Sequence, residues 1–317
     1  MRILSLFMFS FLIASWSSAA STHLPLKWPA ELKAENGLLI AWQTKSESRE
    51  TPQIEVYGER ATLLASLTPL RHAPEAKHAT VHDVSALPQH IIAAAVTYRK
   101  SQNTVPATSL LYYDFSGNLM LALALDPSRE IAYLTVDQRS NVWTLTMGSG
   151  GRNPSEVPMV VVYGPTGAVV KEMLKRTDFP AHTTFTQEDE TIGVPAVGHG
   201  DGVVWFWLPG STDLVSIRTD SYSVERTSTG LPQRSAREAP LRMVRSDSGS
   251  LLAEIMSKQD DQHPAEFGFF VRSAATRHWE RFNPPCVNCL LVGSDEGKAF
   301  FKGHAEDGEE IYEVALP

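Results

Sequence analysis

A short phrase recurs along this chain: a polar or Tyr/Asp lead, a turn carrying Gly or Ser, then an alternating strand. Its fullest copies are Tyr57-Gly58-Glu59-Arg60 into ATLLASL, Tyr112-Tyr113-Asp114-Phe115-Ser116-Gly117 into NLMLALAL, and Tyr163-Gly164-Pro165-Thr166-Gly167 into AVVKEML. Looser copies are Thr219-Asp220-Ser221 into YSVERTS and Arg272-Ser273-Ala274 into ATRHWERF. The strands that follow start near 61, 118, 168, 222 and 276, at spacings of 57, 50, 54 and 54 residues. One such unit cannot cover its own apolar faces, whereas units stacked side by side bury them. A strand–turn–strand unit with a period of about 50 residues points to a β-propeller.

The rest of the chain agrees with an all-β reading. More than twenty runs, mostly of five to eight residues, are rich in Val, Ile, Leu, Tyr, Phe and Trp and separated by Gly, Pro, Asp, Ser or Asn. Helical signals are nearly absent; 29–35 and 73–78 are too short or too poorly patterned for more than a turn. The third unit is the cleanest, with an inner strand at 130–136, then strands at 141–147, 159–163 and 168–174. Five copies of the last strand pair precede residue 282, and the final segment, 289–316, holds only three strands. The segment from His23 to Trp28 is the candidate for the missing outer strand. Pairing the termini in this way removes exposed edges and closes a ring of six four-stranded antiparallel blades, with five as the alternative count. A β-sandwich would use far fewer strands.

Arg2 precedes an apolar run that ends in Ser17-Ser18-Ala19-Ala20, the pattern of a secretory signal peptide over residues 1–20. Residues 21–317 then form a single propeller domain, with no later run apolar enough to span a membrane. The formal charge of −8 and the lack of any Lys/Arg cluster argue against nonspecific binding to nucleic acid or anionic lipid. Acidic runs at 188–190 and 306–310 read as solvated loops, with calcium binding as the alternative.

The Tyr/Phe-Asp-x-x-Gly turn, together with inner strands shaped like IAYLTVDQRSNVWTL, resembles secreted bacterial six-bladed propellers of the NHL-like and related families. That resemblance implies the fold. It implies no particular activity, because such families include binding scaffolds as well as lactonases, lyases and sugar-oxidising enzymes, and no ligand or catalytic set carries over.

Cys286-Val287-Asn288-Cys289 is the sharpest local motif. In an exported chain, two cysteines three apart form a local disulfide that fixes the Pro284-Pro285 corner. Haem attachment would need His where Leu290 stands, and a redox site would need a helix start where a strand follows. Of the ten histidines, His78 and His82 point to one side of a strand but too far apart to share a metal ion. His182, His199 and His304 lie in connections between strands. In His199-Gly200-Asp201-Gly202 the polar pair can project from a propeller face. With Asp137, Asp247 and Asp295, which follow inner strands in their units, His199 and Asp201 can ring one mouth of the central channel. Ordinary hairpin chemistry is the competing account of these aspartates. Trp143, Trp205 and Trp207 fall on second strands and suit packing between blades. No GxSxG elbow, HExxH, EF-hand loop or P-loop is present.

The sequence thus predicts an exported binding or interaction module, free of cofactors, that recognises a protein, small-molecule or carbohydrate ligand by loops on one face. The alternative is a hydrolase or lyase with a divalent metal or a carboxylate/histidine site at the channel mouth.

Overall fold

The computed structural model describes residues 20–317 apart from 27, 102–105, 127–128, 149–156, 180–195, 209–210, 232–237, 258–265 and 306–307. Residues 1–19 of the leader, the acidic run at 188–190 and His182 lie outside the described residues.

Strands are numbered in chain order. The N-terminal group is β1 (Ala20–Leu24), β2 (Glu31–Glu35), β3 (Leu38–Trp42), β4 (Lys45–Ser46), β5 (Ile54–Tyr57) and β6 (Leu63–Leu67). There follow β7 (His78–Leu87), β8 (Ile91–Arg99), β9 (Ala107–Tyr113) and β10 (Leu119–Ala124). Next come β11 (Arg129–Val136), β12 (Val142–Gly148), β13 (Pro158–Tyr163) and β14 (Val169–Lys175). The fourth group is β15 (Ala196–Gly200), β16 (Val203–Trp207), β17 (Asp213–Arg218) and β18 (Val224–Ser228). The fifth is β19 (Glu238–Arg245), β20 (Leu251–Ser257), β21 (Glu266–Arg272) and β22 (Trp279–Phe282), before β23 (Leu290–Asp295), β24 (Lys298–Ala305) and β25 (Gly308–Ala315).

The protein is all-β and propeller-like. Three antiparallel sheets have four strands each, β11 to β14, β15 to β18 and β19 to β22, and a fourth runs β10-β9-β8-β7-β4. The remaining sheet runs β1-β25-β24-β23-β2-β3-β5-β6. Within it, β23 and β2 meet only at a parallel bridge between Gly293 and Ala34. That approach requires a glycine, since a Cβ at 293 would stand 2.9 Å from the Ala34 carbonyl oxygen. First strands also touch in sequence, β2 to β7, β7 to β11, β11 to β15, β15 to β19, β19 to β23 and β23 to β2.

Burial explains the sequence pattern. The second strand β3 is buried throughout, as is most of β8, because both faces lie against neighbouring sheets. The outer strand β10 alternates, and β18 is exposed along its whole length. The recurring phrase is the turn from the third to the outer strand in all five copies. In the second copy Asp114 Oδ1 accepts from the backbone N–H groups of Ser116 (2.9 Å) and Asn118 (2.8 Å), an Asx-type turn. Apolar clusters sit between adjacent sheets. Trp143 packs with Val204 and Phe206 of the next sheet, and Trp205 and Trp207 pack with Met243 and Leu252 of the one after.

Two expectations about strands are corrected. The N-terminal strand is Ala20–Leu24, not 23–28; it ends before Pro25, which has no N–H to continue the ladder. Its partner is β25, in a register from Ala20 opposite Glu313 to Leu24 opposite Glu309. Residues 31–35, read as no more than a turn, form the first strand β2. Cys286 and Cys289 are disulfide-bonded, with Cα atoms 5.5 Å apart, just ahead of β23. Among the described residues, no helix is long and apolar enough to cross a membrane.

Leu24 is fully buried, so its contacts report directly on the terminal pairing. Leu24→Ala is expected to cost about 2–5 kcal/mol, read as a lower urea midpoint at unchanged slope. Val287→Ala, at an 89% exposed position, should leave the midpoint in place.

Candidate functional site

The first strand of each unit runs toward the same end of the molecule, and the turns that follow them meet there. These turns enclose a polar basin of about 470 Å³. His199 at the end of β15, Asp201 beyond it, Asp247 beyond β19, and Asp295 and Glu296 beyond β23 all line it. Asn36, His90 and Gln138 complete its polar wall, and no Lys or Arg is among its lining residues.

The turns are tied to one another. Asn36 Nδ2 donates to the Ala86 carbonyl at 2.7 Å, and the Gly37 N–H donates to the Asp295 carboxylate. Ser294 Oγ donates to the Arg245 carbonyl at 2.8 Å. Asp247 lies so close to Gly200 that a Cβ there would stand 2.1 Å from its Oδ1, so only glycine leaves that carboxylate in place. Burial raises the pKa of Asp295, the Gly37 N–H opposes this, and the charges of Glu35, Asp247 and Glu296 add to the rise.

Beneath the basin, and sharing His199 and Asp295 with it, lies a narrower cavity of about 140 Å³. Side chains at alternate positions of β2 face inward. Lys33 Nζ donates to Asp83 Oδ2 (2.7 Å), to the Leu134 carbonyl (2.7 Å) and to the Val84 carbonyl (3.3 Å). Asp83 Oδ2 also accepts from the Leu134 N–H at 2.7 Å. Its pKa is nonetheless raised, because burial outweighs the neighbouring ammonium. Two residues further along β2, Glu35 Oε1 accepts from Ser85 Oγ at 2.9 Å and from Thr135 Oγ1. His199 Nε2 stands 3.5 Å from the same oxygen, while Glu35 Oε2 and His199 Nε2 have no hydrogen-bond partner among the described residues.

Of the residues singled out by sequence, His199, Asp201, Asp247 and Asp295 come together in the basin. Asp137 does not join them. It is buried, with Oδ1 accepting from the Arg139 and Asn141 N–H groups and Oδ2 from Asn141 Nδ2 and, at 2.8 Å, Trp143 Nε1. His199 belongs to strand β15 rather than to a connection, and His304 is an exposed residue of β24. His78 pairs with Glu47 (3.0 Å) and His82 contacts Thr97 (2.7 Å), so they serve separate partners. Trp205 is buried but lines the inner cavity. Lys33, Glu35, Asp83, Arg242 and Glu254 were not singled out by sequence. Charged residues on a strand whose neighbours are apolar were the available signal. Among the described residues, no group of three or more His, Cys, Asp or Glu is placed to hold one metal ion.

No family model matches the sequence, and no curated protein matches it. Solved structures do resemble the fold. A protein classed as exported from Bacteroides fragilis aligns at a TM-score of 0.60 and 10% identity, over 94% of this chain and 95% of that one. A GH74 enzyme from Niastella koreensis aligns at 0.53 and 12% identity over 93% of this chain, which spans 45% of that enzyme. A β-propeller domain from Myceliophteria thermophila aligns at 0.45 and 9% identity, over 94% and 99% of the two chains. At these identities the likeness is one of fold alone.

Glu254, opposite Arg242 in the β19–β20 ladder, is fully buried. Burial pushes its carboxyl up to about 7, against the charge of Arg242 and the Leu291 N–H. The folded protein therefore keeps a proton that the unfolded chain releases near pH 4.5. Stability from this group is fully present below 4.5 and is lost as pH rises through 7. The total is on the order of 3 kcal/mol, from the displacement of 4.5 to about 7. Urea titrations of Glu254→Gln should show a flatter stability profile across that window than the parent protein.

Proposed function

We propose that this chain is an exported six-bladed β-propeller of the NHL-like kind that binds a small polar ligand at the basin mouth. The leader pattern in residues 1–20 supports export to the periplasm or beyond. The cycle of contacts among β2, β7, β11, β15, β19 and β23 supports six blades, with β1 completing the blade of β23, β24 and β25. In this reading the rigid ring supplies the frame and its turns supply recognition.

One observation carries the binding reading: His199, Asp201, Asp247 and Asp295, contributed by three different sheets, line one concave basin. Convergence of polar groups from distant segments on one hollow is how a ligand site differs from scattered hairpin residues. The test is a thermal-shift and calorimetric screen of the mature protein against sugars, amines, amino acids and organic acids. A ligand that raises the melting temperature should show a weaker effect in Asp201→Asn and Asp247→Asn. It should keep its full effect in Glu309→Gln, which borders a separate hollow with Lys302. Binding indifferent to the mouth substitutions would remove this proposal.

Hydrolysis is the second reading, favoured by the approach of His199 Nε2 to Glu35 Oε1 at 3.5 Å, the type of pairing that proton transfer uses. Turnover of a bound ligand, lost in His199→Gln with binding retained, would select it.

A further inference from the structure

Three features of the mouth concern charge rather than shape. Asp201, Asp247, Asp295 and Glu296 border the basin, whose lining residues include no lysine or arginine. Glu35 and His199, directly beneath, have side chains only 6% and 7% exposed. Glu35 Oε2 and His199 Nε2 nevertheless have no hydrogen-bond partner among the described residues. Leaving buried polar atoms unpaired is costly. The inner cavity also holds the unpaired donors Trp42 Nε1 and Arg242 Nε, so the call for an added donor comes from Glu35 Oε2 together with the acidic rim.

Lys33 does not meet that need. Its ammonium is engaged by Asp83 Oδ2 and by the carbonyls of Leu134 and Val84, and it stands 3.9 Å from Glu35 Oε2. It contributes charge to Glu35 without donating a hydrogen bond. Glu35 Oε1 is already used by Ser85 and Thr135. The free acceptor is therefore Oε2 of Glu35, with His199 Nε2 standing 3.5 Å from Glu35 Oε1 beside it.

We propose that the mouth is selective for organic cations, and that a primary ammonium or guanidinium head seats against Glu35 Oε2, beside His199, below the Asp201–Asp247–Asp295 rim. This rests on the proposal that the basin is a ligand site. An ammonium offers three donors to an acceptor that has none, and the rim carboxylates balance its charge. An anion would meet like charge on the rim and at Glu35. A neutral polyol could hydrogen-bond there but would leave the carboxylates uncompensated. The inner cavity beneath is lined by Trp42, Tyr133, Trp205 and Met243 but also by Lys33 and Arg242, so the head group stops at Glu35 and the carbon chain of such a ligand extends up into the basin. The head-group chemistry is shared by free amines and by lysine side chains of peptides.

The experiment is isothermal titration of the mature protein with n-pentylammonium chloride, n-pentanol, sodium pentanoate, cadaverine and Nα-acetyl-lysine methylamide. Pentylammonium is expected to bind about tenfold or more tighter than pentanol, with pentanoate weakest. Asp247→Asn and Asp295→Asn should each weaken the amine by about two- to fivefold, and Glu35→Gln by at least about thirtyfold. The rim variants remain decisive if Glu35→Gln fails to fold. Cadaverine binding without the lysine amide assigns a free amine as the source, whereas equal binding assigns a lysine side chain. Pentylammonium no tighter than pentanol, or unaffected by both rim substitutions, overturns the proposal. If a neutral or anionic compound then binds and is lost in Asp247→Asn, the mouth is a ligand site and only the cation class fails. If no compound depends on the mouth residues, both readings fail.

Discussion

Three sheets meet at the ammonium of Lys33. It reaches from β2 to the carboxylate and a carbonyl of β7 and to a carbonyl of β11, and Asp83 also accepts from the Leu134 N–H. Neither charge would remain at the axis without the other, because an unpaired buried charge costs several kcal/mol by general experience, roughly 3–5. Such pairs seldom add much net stability over well-packed apolar residues. What this one provides is position: it fixes the height and rotation of β2 relative to its neighbours. Glu35 lies two residues along the same face, so its placement beneath the basin follows from the placement of Lys33.

The parts of the fold that were legible are those where local chemistry and burial agree. The turn between third and outer strands announces itself five times, and 130–136 reads as a strand because IAYLTV packs against apolar neighbours on both sides. β2 was not legible. Glu31-Leu32-Lys33-Ala34-Glu35 alternates, with Leu32 and Ala34 buried on its apolar face, but it has no β-branched residue, offers only those two apolar side chains, and carries on its other face the ions that meet Asp83. A period-2 signal that short, built from Leu and Ala between charges, is easily read as a turn.

The aspartates show a similar division. Asp137 and Asp114 both precede an asparagine by four residues, and in both turns that asparagine donates back to the carboxylate. Asp201, Asp247 and Asp295 have Trp205, Leu251 and Ala299 at that position, so the turn does not consume them in the same way. The Asp-x-x-x-Asn spacing is thus a sequence sign of a carboxylate spent on its own hairpin. Its absence separates the residues of the basin from the one that turned inward. His199 was legible as a candidate but misplaced by a few residues, since Gly198 and Gly200 resemble a turn. Both glycines instead make room within a strand, for the ring of Trp205 and the carboxylate of Asp247.

The pairing of β1 with β25 joins segments from opposite ends of the described chain, Ala20 with Glu313. Nearly all other strand contacts are hairpins, which close over short loops at small entropic cost. The terminal pairing has no such shortcut, and the sheet that contains it cannot be finished by any intermediate lacking either end. Synthesis of the earlier units leaves β1 without its partner until residues 308–315 exist. The topology therefore places the largest loop-closure cost on the one pairing that joins the two ends, and the edge of β25 stays open wherever β1 is not docked.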